Sequence, residues 1–312
     1  MKATTKTFKY FSWSNIKRLL QGDLTENELI VVLLAPAVLF LLGMVVYPLV
    51  RVIHLSFHNV RLSMPWLGTP FVGVKNYIKM FTDPRFYHSL KVLGLYGSGS
   101  VFFPAILGLG MALIVNRTFP GRWLARAAVI LPWAMPRALT ALAWSWIFDT
   151  SYGVLNGGLM RLGIIQESIS WLGNGQLAMF SLIFTSTWKT SSFVALILLA
   201  GLQSIPKQLY EAGTVDGATG FQAFRYITLP QLKSSFLIAL IFRTIVAIQV
   251  FDTPYALTTG GPGTATEPLS LYIYRVTLNH LNFGYGSALA LFMITMTLMI
   301  TVFYITILGE RG

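Results

Sequence analysis

Arg137, Lys189 and Arg243 each stand near the middle of a long apolar run, at 127–148, 177–202 and 233–256 respectively. Facing lipid, a cation at such a position costs roughly 2.5–3.5 kcal/mol on insertion scales. Each is therefore expected to face a polar cavity, a partner subunit or an acid, and Asp252 is the one carboxylate in these three runs. Small-molecule sites combine aromatic and apolar walls with a few placed amide and hydroxyl groups. Trp188 beside Lys189, and Gln249, Asp252 and Tyr255 beyond Arg243, offer that mixture. These seven residues form the expected solute path. The plainer alternative is a run boundary shifted by one turn, with Arg137 merely following a proline kink at Pro136. Trp133, Trp144 and Trp146 read as interfacial anchors sooner than as cavity walls.

Covalent and metal chemistry find little support elsewhere. No GxxxxGK[ST] segment occurs, so no P-loop cradles ATP phosphates here, and GGPG at 260–263 lacks a following Lys and reads as a tight turn. His54 and His58 are four apart and suit one helix face, but no third ligand or HExxH pattern accompanies them, so they read as interfacial polar residues. There is no GxSxG elbow and no cysteine, which removes disulfides, thiolate metal sites and cysteine nucleophiles. The chain is expected to be non-catalytic, without a cofactor or metal of its own.

A second segment carries a different kind of signal. Residues 204–230, SIPKQLYEAGTVDGATGFQAFRYITLP, are polar and glycine-punctuated between two apolar runs. Ser204 suits the cap of a helix with Pro206 in its first turn, where proline is tolerated. Ile205, Leu209 and Ala212 then share one face, and Lys207, Gln208 and Glu211 the other. Asp216-Gly217 supplies a turn at which positive φ costs nothing. Thr219 and Gln222 have capping-box spacing and open a second helix with Phe221, Phe224 and Ile227 on one side. A helix–glycine–helix results, exposing Glu211 and Asp216. On physical grounds it is equally a docking element or an amphipathic hairpin that seals a bundle.

These elements sit in a chain that is 54% hydrophobic and 11% charged, with mean hydropathy +0.64. Soluble domains run near 25% charged, so the composition is that of a membrane protein. Apolar runs at about 29–50, 90–115, 127–148, 177–202, 233–256 and 286–308 predict an all-α, polytopic protein with about six transmembrane helices. The first run is too long, and its basic flank too extended, for a cleaved signal peptide. Residues 1–28 and 309–312 flank a transmembrane domain at 29–308 that includes the loop 203–232. With the N-terminus inside, the inner segments carry 12 Lys/Arg and the outer ones 7, which favours cytoplasmic termini and a cytoplasmic 203–232 loop. Membrane orientation explains the net charge of +12 better than nucleic acid does, because the basic residues are spread over loops.

The spacing of Glu211, Ala212, Gly217, Ile227, Leu229 and Pro230 resembles the EAA motif of ABC-importer permease subunits, with Gly213 where Ala is usual. LPWAMP at 131–136, GVLNGGL from 153, and ALTTGGPGTATEPLSLYIY and GYGSALA in the last third resemble the binding-protein-dependent carbohydrate uptake branch. FVGVKNYIKMF at 71–81 is similar to the MalF/UgpA-type partner, not the MalG-type one. The resemblance covers roughly residues 30–308. It implies a sugar- or polyol-importer subunit of a bacterial or archaeal cytoplasmic membrane, paired with a second, MalG-like permease, two ATPase subunits that hold ATP and Mg, and an extracytoplasmic solute-binding protein. It assigns ATPase docking to Glu211, Ala212, Gly213, Asp216 and Gly217. Three cations do not single out an anionic solute, since relatives of this type that carry neutral sugars also have Lys after that Trp. A self-contained secondary transporter or channel, the other reading of six spans, would need coupling carboxylates at mid-depth and inverted repeats. An intramembrane enzyme would need a nucleophile–base pair or a metal cluster.

Overall fold

The computed structural model describes residues 25–308, so the expectations for 1–24 and 309–312 lie outside it. The chain divides into two compact units, Met1–Leu55 and Ser56–Gly312. Within the first, α1 (Glu26–Leu41) runs through a π turn at Leu42–Val46 into α2 (Tyr47–Ser56). Leu29–Ser56 makes 28 helical residues with mean hydropathy 3.0, enough to cross a bilayer, and large apolar side chains are exposed along it. The π turn has a cause. Pro48 lacks an N–H for the fourth residue back, and Tyr47 just before it bonds instead to the Leu42 carbonyl, one residue further back. Because α2 ends at Ser56, His58 does not share its face with His54, contrary to the spacing argument.

The second unit contains α3 (Lys75–Thr82), α4 (Pro84–Asn116), α5 (Arg122–Ala134), α6 (Arg137–Ile147), α7 (Val154–Arg161), α8 (Gly175–Ser204) and α9 (Lys207–Val215). It continues through α10 (Gly220–Gln231), α11 (Lys233–Ile248), α12 (Asp252–Thr258), α13 (Leu269–Tyr274) and α14 (Phe283–Leu308). Helices α4, α8 and α14 are each long and apolar enough to span. Two of the predicted spans differ from their apolar runs. The run 127–148 is α5 and α6, bent by 98°, and α10 meets α11 at 61°. Proline explains the first bend: Pro136 pushes Met135 into extended geometry at ψ 141° and cannot continue α5. The run 233–256 stops at Ile248, and Pro254 sits in the first turn of the new helix α12, where no backbone bond is owed.

Three apolar clusters follow one another along α4. Phe86 and Leu93 join Leu269, Tyr272 and Leu289 at one end. Val92 and Tyr96 join Ala141, Phe148 and Leu182 in the middle. Ala112 joins Val194, Leu198 and Leu232 at the other, beneath α9.

At the Leu269 end a polar network locks the glycine-rich turn. Glu267 is fully buried; it accepts a bidentate pair from Arg85 at 2.9 and 3.1 Å and a further bond from Arg275. The Arg85 guanidinium lies over the Tyr272 ring. Tyr272 and Tyr285 in turn donate to Asp83 at 2.5 and 2.6 Å. Burial alone would push the Asp83 carboxyl up. The two hydroxyls and the backbone N–H groups of Arg85 and Phe86 outweigh it and hold the carboxyl below its ordinary value. Burial, then the bond to Asp83, pushes the Tyr272 phenol up. Thr266 closes the turn by donating to the Gly261 carbonyl at 2.7 Å. GGPG is therefore a tight loop, as its sequence suggests. Glu267→Gln leaves two guanidinium groups without their counter-charge. Since both are partly solvated, the expected cost is about 2 kcal/mol, below the 3–5 of a fully buried pair, measurable by unfolding in detergent.

Candidate functional site

The hairpin after α8 is built by local chemistry. Gly217 adopts φ +75°, a left-handed conformation that suits glycine. Its N–H bonds the Thr214 carbonyl at 3.1 Å, and the Ala218 N–H bonds Gly213 at 2.8 Å, which together form a Schellman cap. Thr219 and Gln222 make the expected reciprocal capping box, at 2.7 and 3.3 Å. Ser204 does not cap α9. It ends α8 and donates to the Gly201 carbonyl at 2.8 Å, leaving Pro206 as the cap residue. The faces also differ from the predicted ones. Tyr210 bonds Thr228 at 3.0 Å and packs inward with Ile227, whereas Ala212 and Phe221 are exposed. Gly213 has a packing reason: a Cβ there would meet Ile227 Cδ1 at 3.0 Å. Glu211, Ala212, Asp216 and Gly217 all lie on the exposed side, flanked by Val215 and Tyr226, 88% and 74% exposed.

The three mid-run cations converge on one cavity of about 370 Å³, walled by Trp133, Phe193 and Phe242. Trp133 stacks on Phe193 at 6.2 Å, and Phe242 meets Phe193 edge-on at 6.4 Å. Two of the cations have donors committed to acceptors within the fold. The Lys189 ammonium donates to the carbonyls of Pro132 and Trp133, at 3.1 and 3.2 Å, and to Met135. These are the last carbonyls of α5, and Pro136 has no N–H to offer the Pro132 oxygen. A cation at a helix C-terminus also suits the helix dipole. Arg243 is buried, donating from Nε to the Ser100 carbonyl at 2.7 Å and from Nη2 to Ser186 Oγ at 2.8 Å. Ser100 lies four residues before Pro104 in α4, so its carbonyl lacks the usual helical donor. Both side chains satisfy acceptors that prolines leave open.

Arg137 is different. Its side chain is 47% exposed at the first turn of α6, with Asp252 at 3.9 Å as an ion-pair partner. Trp188 packs edge-on against Trp144 at 5.7 Å, outside the cavity lining. Gln249 is exposed beyond α11, and Tyr255 stacks on Phe251 at 5.2 Å; neither lines the cavity. Phe193, Phe242 and the hydroxyl-bearing side chains around Arg137 escaped sequence reasoning because no charge or motif distinguishes them. Among the described residues no cluster of His, Asp and Glu suits a metal ion.

Residues 105–308 match the family of binding-protein-dependent transport system inner membrane components. The chain belongs to that family. A relative 44% identical over 93% of both chains is the sulfoquinovosyl glycerol transport system permease protein SmoG of Agrobacterium fabrum. Another, 38% identical over 90% of this chain and 94% of its own, is the trehalose/maltose transport system permease protein MalF of Thermococcus litoralis. The fold matches a chain of a bacterial ABC transporter involved in the import of the acidic polysaccharide alginate, with TM-score 0.82 and 23% identity over 94% of this chain and 99% of that one. Membership selects the permease reading over a self-contained secondary transporter or channel.

Proposed function

We propose that this chain is the MalF-like membrane subunit of an ATP-driven sugar importer and forms half of the translocation path. The observation that carries the reading is the α9–Gly217–α10 hairpin. It is capped on both sides of its central turn, joined directly to α8 and α11, and presents Glu211, Ala212, Asp216 and Gly217 outward. In this reading the hairpin docks into a cleft on one of two cytoplasmic ATPases, which hold ATP and Mg, and a MalG-like permease completes the path. The Lys/Arg bias supports a cytoplasmic hairpin and cytoplasmic termini. A solute-binding protein delivers cargo at the opposite face, and relatives named for sulfoquinovosyl glycerol and for trehalose/maltose support a carbohydrate. Because α8 and α11 carry Lys189 and Arg243, a shift of the hairpin moves the cavity walls. A rigid element that both sites bias is the physical requirement for coupling. The reading is tested in proteoliposomes holding both permeases and both ATPases. Solute-loaded binding protein should accelerate ATP hydrolysis and drive uptake only with ATP. Uptake driven by an ion gradient without the ATPases would overturn it.

A further inference from the structure

Charge in the cavity is unbalanced. Its lining includes Arg137, Lys189 and Arg243 and no carboxylate, while Asp252 approaches only Arg137. Lys189 donates to three carbonyls, and Arg243 to the Ser100 carbonyl and the Ser186 hydroxyl, so both contribute positive potential more than free hydrogen bonds. The Arg137 guanidinium is half-exposed, and its 3.9 Å separation from Asp252, itself 49% exposed, is too long for a hydrogen bond. Such a pair is loose and exchangeable.

The surroundings of Arg137 favour a second acceptor. Helix α6, 11 residues long, begins at Arg137, and its cap residue Pro136 offers no side-chain acceptor to the first-turn N–H groups. Arg137 also borders a narrow crevice beside Thr140, Thr185 and Thr190. Thr185 is 1% exposed, yet its Oγ1 has no hydrogen-bond partner among the described residues. A buried hydroxyl left unsatisfied is costly. A forked donor at a helix N-terminus, in a cavity lined by three cations and no carboxylate, suits a planar or tetrahedral oxyanion. The aromatic wall of Trp133, Phe193 and Phe242 suits the apolar face of a sugar ring.

We propose that the sugar passing this chain bears an anionic group, a carboxylate, sulfonate or sulfate ester, received by Arg137 at the start of α6, with Asp252 holding the guanidinium when the cavity is empty. The inference rests on reading this cavity as the solute path. It assigns the two remaining cations to field and scaffold, and selectivity to Arg137.

The test is direct binding to the purified importer complex in detergent, at fixed ionic strength, using glucuronate, glucose 6-sulfate and glucose as probes. At least one anionic probe should bind about tenfold more tightly than glucose, the effect of one charged hydrogen bond. Arg137→Gln should erase that preference, and Arg137→Lys should keep most of it. Asp252→Asn distinguishes a competing acid from a structural one: it should tighten anion binding about threefold, for loss of a weak exposed pair. Equal binding of all three probes, binding of none, or a preference surviving Arg137→Gln overturns the proposal. None of these measurements involves ATP, so a failed coupling experiment and a failed anion preference are read separately.

Discussion

Glu211→Lys and Gly217→Pro should each abolish the acceleration of ATP hydrolysis by solute-loaded binding protein, with the chain still inserted and at normal yield. The two act by different routes. Gly217 sits at φ +75°, whereas a proline ring fixes φ near −65°. The substitution also removes the N–H that bonds Thr214 at 3.1 Å, so the Schellman cap fails and α10 loses its direction relative to α9. Glu211 is exposed and makes no ion pair among the described residues, so reversing its charge leaves α9 intact. Its effect falls on a partner that presents a cation. Coupling free energies between sites run at about 1–3 kcal/mol, and losing one reduces stimulation roughly 5–150-fold. Gly217→Asn is the informative companion. Nothing lies within 4 Å of a Cβ at this position, and Asn visits the left-handed region more readily than other residues, so it should retain most of the coupling. Normal coupled hydrolysis in reconstituted complexes carrying either Glu211→Lys or Gly217→Pro would remove the docking role from this hairpin.

The hairpin was legible because every signal in it is local. Thr219 with Gln222 caps a helix regardless of what packs above it, and Asp216-Gly217 turns the chain without outside help. The faces of α9 and α10 were less legible. Which side of a short helix is buried depends on where Leu232 and Ile205 deliver the core, and that is decided by the bend between α10 and α11. The mid-run cations show the same limit more sharply. That Arg243 and Lys189 need polar partners follows from their depth in apolar runs. That the partners are the Ser100 and Pro132 carbonyls does not, because it requires knowing which helix lies opposite which proline. The missing signal was nevertheless present in the sequence. A proline inside a predicted span leaves the carbonyl four residues earlier without its donor, and a lone cation on another span is the side chain able to reach it. Pro104 paired with Arg243, and Pro136 with Lys189, would have emerged from that rule. Arg137, the cation most readily dismissed as the residue after a kink, is then the one whose guanidinium stays half-exposed at the cavity.

That pairing predicts an interaction between two residues that are 139 positions apart in sequence. Arg243→Met should destabilise the folded chain by about 3 kcal/mol, because it strands the buried Ser100 carbonyl and leaves Ser186 with the Tyr96 hydroxyl alone. Pro104→Ala supplies a backbone N–H to that same carbonyl, four residues back in α4. In the Pro104→Ala background the Ser100 oxygen no longer depends on the guanidinium, and Arg243→Met should cost less by about 1–2 kcal/mol, an interaction energy typical of residues sharing one partner. The measurement is a double-mutant cycle on equilibrium unfolding in mixed micelles. Additivity within about 0.5 kcal/mol would mean that the carbonyl is satisfied some other way once Arg243 is gone. The cycle also separates scaffold from transport. If Arg243 serves α4 and only the field of the cavity, the double variant should regain part of the lost stability, bind glucose as before, and keep a reduced anion preference that Arg137→Gln still erases. A guanidinium that contacts the sugar directly would instead give a well-folded double variant with weakened binding of glucose as well.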